Sequence, residues 1–211
     1  MALCCVAPLA IAQQPVPSVD QVADRLDGHY NDLRSLRAGF TETYRGAGIT
    51  RTESGTLWLR RPGKMRWEYT EPREKLFVSD GKTAFFYVPG ERQARRAPLD
   101  KLDDLRSPLR YLLGKTKLKK EFDNLTARAG DQPGSVIIRG VPRNMSDRVA
   151  EVSLDVNAVG EIQRIQIDEV DGSQTEFTFS SMQENVPVED ARFRFQPPPD
   201  VELIDGTAAS P

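Results

Sequence analysis

The sequence predicts a mainly β chain: about ten strands in one strongly curved antiparallel sheet, with an N-terminal helix and a short helical insertion. Three observations carry this. Between Gly55 and Val88, short strand-like runs are joined by Arg61-Pro62-Gly63, Glu71-Pro72 and Asp80-Gly81, the residues that chain reversals require. Within that stretch Met65, Trp67 and Tyr69 alternate with Lys64, Arg66 and Glu68, so one face is apolar and the other charged. Helical spacing of any length is found at Val19–Arg37 and at residues 98–114. So little helix cannot layer over both faces of so many strands, and the sheet must curl on itself.

Taken in order, Ser18 and Gln21 form a capping box ahead of Val22, Ala23, Leu26, Tyr30, Leu33 and Leu36 at helical spacing. The helix is expected to run from about Val19 to Arg37, with Asp20 and Asp24 near its positive end. From Ala38 the period falls to two. Phe40–Tyr44 reads as a strand, Gly46-Ala47-Gly48 as a turn and Ile49–Arg60 as a longer strand. After Tyr87, Glu91–Ala97 reads as a polar, edge-like strand. Leu99, Leu102, Leu105, Leu109 and Leu112 then recur every three or four residues, broken at Ser107-Pro108 and closed by Gly114. That pattern predicts two short amphipathic helices whose leucines fit the concave face of the sheet. Lys115–Lys120 reads as a basic turn and strand start. Strands follow at Phe122–Ala129, Ser135–Val141, Val149–Asn157, Glu161–Val170 and Ser173–Gln183, with turns at Asn157–Gly160 and Asp171-Gly172. Val188–Arg192 reads as a short helix, and Phe193–Phe195 as a strand before the prolines at 197–199.

Composition narrows the function. A chain of 211 residues with 38% apolar and 28% charged residues forms a core and fits a single domain. A net charge of −2 gives no electrostatic basis for nucleic-acid binding. Residues 1–12, MALCCVAPLAIA, form an apolar run with Ala10 and Ala12 at the spacing of a signal-peptidase site, without a charged start. They read as a truncated leader, 13–17 as a linker, 18–205 as the domain and 206–211 as a tail. Cys4 and Cys5 lie in the leader, so the exported chain is expected to hold neither disulfides nor thiolate metal sites. The sole histidine, His29, flanks the helix stripe, and neither HExxH, GxxxxGK[ST] nor GxGxxG occurs. No catalytic residue, metal site or cofactor is expected, and the chain does not read as an enzyme.

The central stretch also carries a resemblance. Leu57-Trp58-Leu59-Arg60-Arg61-Pro62, then Met65-Arg66-Trp67, Pro72 and Phe77-Val78-Ser79-Asp80-Gly81-Lys82-Thr83 are similar to the signature of the LolA family of periplasmic lipoprotein carriers. Phe193-Arg194-Phe195 and Gln196-Pro197-Pro198-Pro199 resemble its closing motif. The resemblance spans Val19 to Ile204, by pattern more than by letter between Lys117 and Gln183. It implies an incomplete, strongly curved β-barrel with a helical lid. The lid would be formed here by Leu102, Leu105, Leu109 and Leu112. It further implies a monomeric carrier that takes triacylated lipoproteins from an inner-membrane lipoprotein-releasing ABC transporter to an outer-membrane acceptor lipoprotein. A sensory module for lipoprotein or lipid, and a carrier of another amphiphile, fit the same scaffold.

The physical task of such a carrier is plain. Each methylene moved out of water contributes about 0.8 kcal/mol, so exposing an acyl chain costs roughly 10 kcal/mol or more. Leu57, Leu59, Met65, Trp67, Tyr69 and Phe86 are the candidates for lining an apolar cavity, with Trp58 and Phe85 pointing the other way. Met65 stands where the family often carries an aromatic or other bulky residue. Arg61 matches the family's arginine before proline, whose lid contacts keep the cavity closed. A guanidinium at a rim can donate to several backbone carbonyls at once.

Overall fold

The structure, a computed structural model, describes residues 17–99, 112 and 117–206. The predicted leader, nearly all of the linker and tail, and Leu102, Leu105 and Leu109 lie outside the described residues.

Helix α1 (Val19–Asp32) opens with the predicted capping box: the Gln21 amide donates to Ser18 Oγ, and the Ser18 amide donates to Gln21 Oε1. It buries Val22, Ala23, Leu26 and Tyr30. It ends five residues short of the expected Arg37. Leu33 is already extended, and Ser35 and Leu36 are taken up by pairing with Arg60 and Leu59. The helical register of Leu33 and Leu36 therefore loses to a strand partner far along the chain.

Among the described residues twelve strands follow, against about ten expected. They are β1 (Ser35–Gly46), β2 (Ile49–Arg60), β3 (Lys64–Glu71), β4 (Lys75–Asp80), β5 (Thr83–Tyr87) and β6 (Gln93–Pro98), then β7 (Phe122–Ala129), β8 (Val136–Pro142), β9 (Val149–Val156), β10 (Ile162–Glu169), β11 (Gln174–Glu184) and β12 (Glu202–Asp205). A helical turn, α2 (Leu118–Glu121), occupies the place expected for a strand start and buries Leu118. Phe193 closes a 3-10 turn, Asp190–Phe193, instead of opening a strand.

All strands join one sheet in the order β12-β6-β5-β4-β3-β2-β1-β11-β10-β9-β8-β7. Its two ends do not pair, so the barrel stays open. β12 pairs β6 in parallel, so the expected edge strand is covered. Strand β2 shifts register against β3 between Ser54 and Gly55, a bulge of the kind that bends a strand. A Cβ at Gly55 would run into the Glu68 carbonyl, so only glycine lets the two strands approach there. The concave face holds one hydrophobic core, running from Leu57, Trp67 and Phe77 to Ile138, Leu154 and Ile165. Helix α1 closes it on the side of β7 and β8.

Candidate functional site

Pairing registers decide which side chains share the concave face. Phe40 faces Phe179 on one side, Leu57 faces Trp67, and Trp67 faces Phe77. Leu57, Leu59, Met65, Trp67 and Tyr69 are all buried in the single core cluster, and Phe86 packs against it partly buried. Trp67 sits at its centre, meeting Phe40 edge-on at 4.7 Å and Phe177 at 5.9 Å. Leu112, the one described lid leucine, belongs to the same cluster and is almost wholly buried.

Arg61 lies beside Leu112 in a crevice also lined by Leu33, Leu36 and Leu59. Its guanidinium donates to the backbone carbonyls of Tyr30 and Asn31, the orphan acceptors at the end of α1. A cation there also suits the negative end of the helix. Burial pulls its pKa down while the nearby Asp32 carboxylate works the other way. Tyr30 receives from both directions: its carbonyl accepts from Arg61, and its hydroxyl oxygen accepts from the Ile162 amide at 2.7 Å. Burial pushes the Tyr30 phenol well above its ordinary range. His29 is half-buried, 2.7 Å from Glu184, as a packed ring at the helix margin.

Sequence reasoning missed a polar cluster on the same concave face. Tyr69 Oη donates to Glu42 at 2.6 Å, Lys75 donates to Glu53 at 2.6 Å, and Arg51 reaches Glu53 at 3.3 Å. Glu42 and Glu53 face each other across β1 and β2, and both are buried. Burial raises the Glu42 carboxyl above the usual range, partly offset by the Tyr69 hydrogen bond and Lys75. The signal was parity: Glu42 falls in step with Leu36, Ala38 and Phe40. Among the described residues no group of three or more His, Cys, Asp or Glu is placed to hold a metal ion.

A family model, "Outer membrane lipoprotein carrier protein LolA", matches residues 31–196. The chain belongs to the LolA family. An outer-membrane lipoprotein carrier protein from Sodalis glossinidius is 32% identical over 195 residues, 90% of each chain. One from Chromobacterium violaceum is 28% identical over 195 residues, again 90% of each. Among solved structures, MucB shares the fold at a TM-score of 0.52 and 15% identity, over 84% of this chain and 62% of MucB.

The LolA signature residues of odd and even parity part company. Trp58, opposite in direction to Leu57, is nonetheless buried, because residues 186–192 fold back across the convex face. Arg192 lies over its ring at 4.5 Å and Arg37 at 6.0 Å, at the edge of a groove of about 700 Å³. Phe85 stacks on Phe195 at 5.3 Å. Arg60 donates to the Val188 carbonyl at 2.7 Å and, with Lys64, pairs with Asp190, fastening the closing motif to the sheet.

Proposed function

We propose that this chain is a periplasmic carrier that shields the acyl chains of triacylated lipoproteins against its concave face and moves them from the inner to the outer membrane. The observation that carries the reading is the apolar inner wall, Leu57, Leu59, Met65, Trp67 and Phe86 with Phe40 and Phe177, held in one cluster with Leu112 and bordered by the Tyr69–Glu42 and Lys75–Glu53 pairs. Membership of the LolA family and the names of its relatives, outer-membrane lipoprotein carrier proteins, support the same reading. Cargo would arrive from an inner-membrane lipoprotein-releasing ABC transporter and leave at an outer-membrane acceptor lipoprotein, with the carrier acting as a monomer and forming no covalent bond. The chain that enters replaces side-chain contacts with its own, so its hydrocarbon stays out of water at little net change in buried area.

Arg61 is the latch in this reading. It grips the last turn of α1 in the crevice that Leu112 also lines, so Leu112 and the helix end lie beside one guanidinium. Hydrogen bonds to backbone carbonyls exchange readily for water, which suits a closure that must reverse. The test is release of lipoprotein from inner-membrane spheroplasts by purified protein. A carrier yields soluble complexes of about one to one, one cargo per concave face, whereas a sensor binds without releasing. Arg61→Leu is expected to load but to pass cargo on to acceptor membranes at a markedly reduced rate. Unimpaired transfer by that variant would remove the latch.

A further inference from the structure

Trp67 is fully buried at the centre of the inner wall, yet its Nε1–H has no acceptor among the described residues. What surrounds it is ring carbon: Phe40 and Phe177 both meet it edge-on. Tyr69, its neighbour on the same face of β3, commits its hydroxyl to Glu42 and so offers nothing. Other polar groups of this interior have partners: Tyr69 donates to Glu42, Lys75 to Glu53, and the Ile162 amide to Tyr30. A buried donor without an acceptor is costly, and folded proteins keep few of them. An apolar face that needed only bulk at this position could use phenylalanine, as it does at Phe40, Phe77 and Phe177.

A pure hydrocarbon chain cannot satisfy that N–H. A carbonyl oxygen can. We propose that Trp67 is a carbonyl-reading residue of the inner wall, whose Nε1–H donates to the ester or amide oxygen that joins an acyl chain to the rest of its molecule. The inference rests on the carrier reading and adds a chemical preference to it: acyl chains over alkyl chains of equal length. A ligand that pairs this N–H gains about one net hydrogen bond over an analogue that leaves it unpaired. The indole thereby gains the acceptor that it lacks among the described residues.

The test uses two soluble probes with the same headgroup and chain length: 1-palmitoyl and 1-hexadecyl lysophosphocholine, kept below micelle-forming concentrations. One presents an ester carbonyl, the other an ether methylene. The full chain is expected to bind the ester at least about fivefold more tightly, the scale of one net hydrogen bond. With indole nitrogens isotopically labelled, the Trp67 Nε1–H resonance should move downfield with the ester and not with the ether, while Trp58 on the convex face stays put. Trp67→Phe should bind both probes equally. If that variant does not fold, the resonance shift in the unmodified protein decides alone. Equal affinity with an unmoved Trp67 signal overturns this inference and leaves the carrier reading standing. Binding of neither probe also overturns this inference, and the release of lipoprotein from spheroplasts then decides the carrier reading.

Discussion

The two halves of the sheet are built differently. Strands β2–β5 are covered on both faces: the core lies on one side, and on the other residues 186–198 bury Trp58 and Val78 and hold Phe85 and Tyr87. Strands β8–β11 bury their side chains chiefly on the concave face, with Ile137 buried on the convex one. Their convex face carries Arg164, Asp155, Glu176, Gln166 and Asp168, which bond to one another and to solvent-facing neighbours. The first half is therefore held as three layers and the second as two. Apolar contact on a second face adds burial that the other half lacks, so the half carrying the LolA signature is the more firmly fixed wall. Tyr30 bridges them, bonded to Arg61 of the first half and to Ile162 of the second.

That difference can be broken from the outside. Phe193 is almost wholly buried in the 3-10 turn that packs on β3 and β4. Phe193→Ala is expected to cost about 3–5 kcal/mol in denaturant unfolding. A loss below about 1 kcal/mol would mean that the closing segment is a loose strap and that the two halves are alike. Next in size is the bridge. Tyr30→Phe strands the buried Ile162 amide and is expected to cost about 1–3 kcal/mol, measured in the same way. It should also speed hydrogen exchange at the start of β10 more than in β3. The smallest effect belongs to the bare face. Arg164 pairs with Asp155 at 2.6 Å and Glu176 at 3.1 Å while about a third exposed. Arg164→Met is expected to change stability by less than about 1 kcal/mol. A loss matching that of Phe193→Ala would show the second half to depend on its outer layer as well.

Much of this was legible residue by residue. Alternation separated Met65, Trp67 and Tyr69 from Lys64, Arg66 and Glu68, and the structure buries the first three in the core. The cap at Ser18 and Gln21 needed only a spacing of three. Other features were invisible because their cause lies elsewhere in the chain. Trp58 was read correctly as facing away from Leu57, but its burial depends on a segment about 130 residues later. Glu42 has the parity of an inward position, yet its polarity hid that until Tyr69 supplied a partner. The unmatched indole of Trp67 could not be seen at all, since an absent acceptor has no sequence signal.

By itself the sequence determined the alternating inner wall, the start of α1, the turns and the LolA motif, all of which depend on neighbours a few residues apart. Only the tertiary structure decided that α1 stops at Asp32, that β12 lies parallel to β6, and that Arg61 grips the carbonyls of Tyr30 and Asn31. The physical reason is range. Side-chain direction in a strand repeats every two residues and is settled locally, whereas a helix end, a strand partner and a buried donor's acceptor are settled by whichever distant segment arrives to compete for them.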